Sequence, residues 1–242
     1  MKAVILAGGK GTRLRPYTTH FPKPLMPVGD RPILEIIIDQ LKMAGFSEII
    51  ITTGHLEEMI RAFFGDGNRF GVKITYSKEE QTLGTAGPLN LIRDQLTETF
   101  LLMNGDVLCD ANFPAMIEQH NLHQATATIA LTRRTVDIDY GVVEVDEEMT
   151  FRTWKEKPII DYLVSMGVYL LEPGALESLP KEGFFNLPDL IVSIEERKKR
   201  VSGYLHNGYW LDIGRPDDYA KACEGVENRD FRIKGEGCGG NR

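Results

Sequence analysis

The run Leu6-Ala7-Gly8-Gly9-Lys10-Gly11-Thr12-Arg13-Leu14-Arg15-Pro16 follows the first apolar stretch of the chain. Gly8, Gly9 and Gly11 free the backbone to approach a polyphosphate, and successive N–H groups in such a loop can form an anion-binding nest. Arg13 adds a fixed cation suited to phosphate oxygens. The plainer alternative is a tight glycine turn with solvated arginines. Two familiar phosphate motifs do not fit. A dinucleotide fingerprint needs a third glycine where Leu14 stands, and a P-loop needs Ser or Thr after its lysine, where Gly11 follows Lys10.

Three further segments carry groups for the same chemistry. In Phe21-Pro22-Lys23-Pro24-Leu25 the two prolines fix φ and bias their neighbours toward extended geometry. Lys23 is thus held on a stiff arm, able to neutralise charge that develops on a phosphoryl group. Taken alone, it reads equally as a surface lysine in a proline-rich loop. In Met103-Asn104-Gly105-Asp106-Val107 an aspartate sits just past an apolar strand. A hard oxygen ligand at that edge suits Mg²⁺, although an isolated Asn-Gly-Asp is more often a turn. In Tyr209-Trp210-Leu211-Asp212-Ile213-Gly214-Arg215-Pro216 a carboxylate lies among large apolar residues, where an unpaired charge is costly. Its simpler role is partner to the N-terminus of the helix expected near Pro216.

Together the glycine loop and the bracketed lysine resemble the signature of the sugar-1-phosphate nucleotidylyltransferase family, G-G-x-G-T-R-L-x-P-x-T followed by P-K-P. The resemblance runs from Met1 to about Glu224. Within the family the segment Glu79-Glu80-Gln81-Thr82-Leu83-Gly84-Thr85-Ala86-Gly87-Pro88-Leu89 is most similar to mannose-1-phosphate guanylyltransferases. The resemblance implies that Leu6, Ala7, Gly8, Gly9, Gly11, Thr12 and Arg13 contact the nucleotide, and that Glu80, Gly84, Thr85 and Gly87 border its base. It makes Arg13 and Lys23 catalytic, and makes Asp106 and Asp212 the ligands of a Mg²⁺ cofactor. On the residues alone, Gly84 and Gly87 leave room for a flat base, and Thr85 can cap the helix that follows.

The acceptor side is read from Asn104, Gly141, Glu156, Lys157 and Ser165. Glu156 can accept hydrogen bonds from sugar hydroxyls, Lys157 can pair with the sugar phosphate, and Gly141 leaves space for the ring. The family often carries Asn where this chain has Ser165, a shorter side chain. The five histidines show no metal-ligand spacing and read as surface or satisfied core residues.

These residues imply one reaction. The phosphate oxygen of a sugar 1-phosphate attacks the α-phosphorus of a nucleoside triphosphate, and pyrophosphate leaves. That nucleophile is already anionic at neutral pH, so positioning and charge neutralisation suffice without a general base. The expected substrates are GTP and mannose 1-phosphate. The alternatives are uridylyl transfer, guanylyl transfer to a heptose phosphate, or a non-catalytic nucleotide-sugar-binding regulatory subunit. A regulatory paralogue would be expected to lose charge at Arg13, Lys23, Asp106 or Asp212, and all four are present.

The net charge of −7 argues against a duplex nucleic-acid partner, which needs a basic face. No window approaches the ~20 apolar residues of a membrane helix. The short apolar start runs into glycines rather than a cleavage site, so a cytoplasmic protein is expected. Three cysteines without a CxxC pair indicate neither a disulfide framework nor structural zinc. A homo-oligomer is left open.

The elements that must position these groups alternate. Apolar runs at 3–6, 49–52, 73–76 and 100–103 read as strands. Helical patterns fall at 33–44, 56–64, 86–94 and 113–121, the signature of parallel strands joined by crossover helices. From 125 onward the pattern is strand-rich, at 126–131, 141–145, 151–156 and 164–171, with helices at 187–198 and 216–223. The expected fold is α/β: a Rossmann-like mixed, mainly parallel sheet flanked by helices. Its second half forms a strand-rich sugar-binding lid over the carboxyl ends of the first strands, continuous with the sheet. One domain over 1–232 and a disordered tail over 233–242 complete the expectation.

Overall fold

The computed structural model describes residues 1–227; the expected domain end at 232 and the tail lie outside the described residues. In chain order the strands are β1 (Lys2–Ala7), β2 (Pro27–Val28), β3 (Arg31–Pro32), β4 (Glu48–Thr53), β5 (Lys73–Lys78), β6 (Phe100–Asn104) and β7 (Val107–Cys109). They continue with β8 (Ala127–Asp137), β9 (Val142–Val145), β10 (Phe151–Lys155), β11 (Ile159–Leu171), β12 (Val201–His206) and β13 (Trp210–Asp212). The helices are α1 (Ile33–Met43), α2 (Glu57–Phe64), α3 (Phe113–His123), α4 (Leu187–Glu196) and α5 (Pro216–Glu227).

Near-continuous apolar strands belong where both faces of a sheet are covered. Here β1, β4 and β6 lie in the middle of a seven-stranded sheet of order β12-β8-β11-β6-β1-β4-β5. The period of two divides each strand between two cores. Val4, Ile50 and Leu102 occupy one register level and face the core that includes Leu190 and Ile194 of α4. One step on, Ile5, Ile51 and Met103 face the opposite core, with Ile33, Ile37 and Leu41 of α1. Pairing is parallel from β6 through β1 and β4 to β5, while β11 runs antiparallel to both β6 and β8. The mainly parallel sheet expected from the sequence is therefore present.

Three expectations need correction. The segment read as a helix at 86–94 is a 3-10 helix, Gly87–Gln95. The N–H groups of Ala86 and Gly87 both donate to the Phe185 carbonyl (2.9 and 3.1 Å), and Pro88 has no N–H to give. Second, of the strands expected in the lid, β8 and β11 join the main sheet, but β9 and β10 pair only with each other. Third, β8 and β11 are longer than their apolar runs suggest, because their outer halves (Arg133–Asp137 and Ile159–Leu163) leave the core as a largely exposed ribbon. Of the histidines, His120 is buried and satisfied by Thr128 Oγ1 (2.7 Å) and Glu172 Oε1 (3.0 Å).

Candidate functional site

β1 ends at Ala7 and the chain turns directly into the glycine loop. Gly11 takes φ +59, in the left-handed region, and the Thr18 hydroxyl donates to its carbonyl at 2.7 Å. The loop is gripped from the neighbouring strands. The Glu79 carboxylate, just past β5, occupies the place of a Cβ on Gly8, and a Cβ on Gly54, just past β4, would lie 2.8 Å from the Gly8 carbonyl oxygen. A side chain at Gly54 would force the loop away from the sheet, whereas one at Gly8 would displace the Glu79 carboxylate.

Lys23 opens a single 3-10 turn, Lys23–Leu25, after an extended Pro22 (φ −68, ψ 136). The ammonium group donates to Asp106 Oδ2, and the lysine side chain is only 10% exposed. Asp106 lies in the β6–β7 turn, held against β1 by the Gly105 N–H, which donates to the Leu6 carbonyl at 2.9 Å. Asp212 reaches the same point by strand pairing. β13 runs antiparallel to β7 with Asp212 opposite Val107, and the Ile213 N–H donates to the Asp106 carbonyl at 3.0 Å. Arg13 then packs over the next residue pair, since a Cβ on Gly214 would sit 3.5 Å from its Nη1.

The resulting electrostatics are unbalanced around the two aspartates. Burial, and after it the Asp106 carboxylate, raises Asp212 above the usual carboxylate range, while Lys23 and Arg13 pull it back. Oδ1 of Asp106 and Oδ1 of Asp212 are both buried without a hydrogen-bond partner. Orphaned buried acceptors on two adjacent carboxylates fit a hard divalent cation, and Mg²⁺ needs only one or two carboxylates beside phosphate oxygens and water. No cluster of three or more acidic, Cys or His side chains that could hold a metal ion occurs among the described residues.

A cavity of about 870 Å³ opens beside these groups, within the size range of small-molecule sites. Its walls include Leu6, Gly8, Gly9, Thr12 and Arg13 from the glycine loop, Glu80, Gly84 and Thr85 from the segment after β5, and Asn104 and Asp106 from the end of β6. An adjoining pocket of about 240 Å³ adds Ala7, Gly11 and Lys23. Glu79, His55 and Lys78 also line the larger cavity and were missed in the sequence. One Glu79 carboxylate oxygen accepts the Leu83 N–H (3.1 Å), and desolvation raises its pKa.

Other expected residues are placed differently. Thr85 caps no adjacent helix. Its Oγ1 accepts the Leu187 N–H of α4 at 2.8 Å. Gly87 lines neither cavity and is packed where a Cβ would lie 3.0 Å from the Gly183 carbonyl oxygen. Gly141, Glu156, Lys157 and Ser165 also lie outside both cavities. The room at Gly141 is filled by the Trp154 indole, whose Cε2 would be 2.7 Å from a Cβ there. Ser165 bonds the Tyr169 hydroxyl at 2.9 Å inside an irregularity of β11. That irregularity brings Gly167 (φ +74) against Asn104, whose Nδ2 would be 2.5 Å from a Cβ at 167. The Ser165 turn therefore abuts the cavity wall without forming it.

Residues 2–229 match the family model described as nucleotidyl transferase. The chain belongs to that family. Among curated members it is 34% identical to a UTP–glucose-1-phosphate uridylyltransferase of Synechocystis sp., over 96% of this chain and 65% of the relative. It is 35% identical to a mannose-1-phosphate guanyltransferase of Candida albicans, over 90% of this chain and 62% of the relative. The chain thus spans a little under two thirds of the length of these relatives. Among solved structures it is similar to HddC from Yersinia pseudotuberculosis complexed with GMP-PN, with a TM-score of 0.73 and 25% identity over 93% of this chain and 99% of that one. Among the described residues no helix is long and apolar enough to cross a membrane.

Proposed function

We propose that this chain transfers a nucleoside monophosphate from a nucleoside triphosphate to a sugar 1-phosphate, releasing pyrophosphate. The observation that carries this reading is the meeting of Lys23, Asp106, Asp212 and Arg13 beside the glycine loop, with Arg13, Lys23 and Asp106 lining the pocket that adjoins the larger cavity. The family match supports it.

In this reading the loop from Gly8 to Thr12 cradles the triphosphate with its backbone N–H groups. Arg13 and Lys23 neutralise charge at the α-phosphorus and on the departing pyrophosphate. Asp106 and Asp212 hold a Mg²⁺ ion, which when bound supplies charge neutralisation to the phosphate oxygens. The acceptor phosphate is already ionised, so no side chain need take a proton. What the chain contributes is alignment of the attacking oxygen with the leaving group.

We further infer GTP as donor and mannose 1-phosphate as acceptor, from the segment 79–89 and from the guanylyltransferase relatives. The uridylyltransferase relative favours UTP and glucose 1-phosphate as the competing pair. Pyrophosphate release measured over a matrix of four nucleoside triphosphates and mannose, glucose and heptose 1-phosphates separates them. Highest kcat/KM for GTP with mannose 1-phosphate is expected. Preference for UTP overturns the donor assignment, and no release from any pair overturns the activity.

A further inference from the structure

Half of the large apolar side chains that are exposed among the described residues fall in one segment, 136–163. Scattered exposed apolar residues are ordinary, whereas a concentration of them marks an interaction surface. The same segment adjoins an open strand edge. β12 pairs with β8 only as far as Thr132, so the stretch 133–137 of β8 has β11 on one side and no strand on the other. All five of its residues are exposed. Beyond Thr132 the sheet is thus a ribbon two strands wide, a form that is marginal in water without further strands.

Open edges are commonly protected by lysines, by proline or by a bulge that twists the edge away. This edge has no lysine and no proline, and its pairing with β11 is regular throughout. It carries instead one charge of each sign at its two ends, Arg133 and Asp137. Among the described residues neither of them, nor Arg134, forms an ion pair.

That spacing is self-complementary. A second copy laid antiparallel along the edge, with the two-fold axis at Thr135, sets each Arg133 opposite Asp137 of the other copy and Thr135 opposite Thr135. Opposite charges and threonine pairs facing each other across antiparallel strands are both favourable. Arg134 then lies across from Val136, where its aliphatic stem can pack. The other edge of the ribbon fails the same operation. Asp161 is the β11 residue paired with Thr135, and a two-fold axis there would set Asp161 against itself.

We propose that two copies of this chain associate through the outer edge of β8, joining their ribbons into one four-stranded sheet around a two-fold axis at Thr135. A second copy fits better than an unrelated partner because both halves of the charge pattern stand on one strand, as an isologous interface requires. The register places Val136 and Tyr162 on one face of the ribbon and Ile159 and Leu163 on the other, so apolar surface continues across the joined sheet on both sides. The association does not depend on the transfer reaction.

Sedimentation velocity of the full chain over a concentration series at low ionic strength tests it. The wild type is expected to sediment as a dimer. Arg133→Asp and Asp137→Arg each set like charges opposite one another, so each alone should raise the dimer dissociation constant by at least about tenfold. Because both positions are exposed, the far-ultraviolet circular dichroism of each variant should match that of the wild type. An equimolar mixture of the two variants should recover the dimer, since the acidic edge of one then faces the basic edge of the other. The double variant Arg133→Asp/Asp137→Arg should dimerise as the wild type does. A wild type that stays monomeric throughout the series overturns the proposal. So does a dimer that survives either single reversal, or a mixture and a double variant that both remain monomeric.

Discussion

Lys23 donates its ammonium proton to Oδ2 of Asp106 across 83 residues of sequence, and both residues line the smaller pocket beside the glycine loop. Removing the carboxylate therefore has two separable effects. Asp106→Asn keeps an acceptor for Lys23 and removes the charge, so it should retain the melting temperature and lose turnover at any Mg²⁺ concentration. Asp106→Ala leaves a nearly buried ammonium without its partner and should cost about 1–3 kcal/mol of stability in addition. Urea unfolding of the two variants beside a pyrophosphate-release assay distinguishes the effects. Wild-type turnover by Asp106→Asn would remove this carboxylate from the chemistry.

Arg13 and Lys23 are predicted to act on the transition state rather than on substrate affinity. Alanine at either position should lower kcat by about 10²-fold, the scale of losing one preorganised charge partner. A variant that raises only the KM for the nucleotide has lost uniform binding instead, and its residue then belongs to recognition.

Thr85 is predicted to matter for stability through a helix it does not precede. Its hydroxyl accepts the Leu187 N–H at the start of α4, 102 residues later. Thr85→Val preserves the shape and removes the acceptor, so it should cost about 1 kcal/mol, as the loss of a capping bond does. Chemical denaturation checks this. Because Thr85 also lines the larger cavity, the KM for the nucleotide measured on the same variant separates a capping role from a binding one.

How much of this was legible in the sequence depends on sequence distance. The glycine loop, the apolar strands of the first half and the position of Asp106 after β6 follow from local pattern, because each sits at the end of a continuous apolar run. The meeting of Asp106 and Asp212 depends on β7 and β13, three residues each, too short for any periodicity to reveal. Gly141 shows the reverse failure. A glycine reads as open space, but here the space belongs to Trp154, thirteen positions away and reached only through the β9–β10 pairing. Gly84 is similar: its φ of +81 and its close approach to the Phe185 carbonyl tie the segment after β5 to the loop before α4.

Glu79 gives the last prediction, a dependence of stability on pH. Its side chain is half-buried between the glycine loop and the segment that follows β5. One oxygen accepts the Leu83 N–H, but the larger influence is desolvation, so its pKa lies above the ordinary 4.5. A carboxyl whose folded pKa is raised binds its proton more tightly in the native state than in the unfolded chain. Between about 4.5 and the raised value the native state holds more protons, so this group's contribution falls as pH rises through that window. The cost is complete above the raised value and absent below the unfolded one. Glu79→Gln keeps an acceptor for Leu83 and never ionises, so it should lack the slope. Urea unfolding of both proteins from pH 4 to 7 should show the variant gaining on the wild type as pH rises, with the curves converging near pH 4. Parallel curves across that range would place the Glu79 carboxylate in contact with enough water, or enough positive charge from Lys10 and Lys78 on the same cavity wall, to cancel its burial.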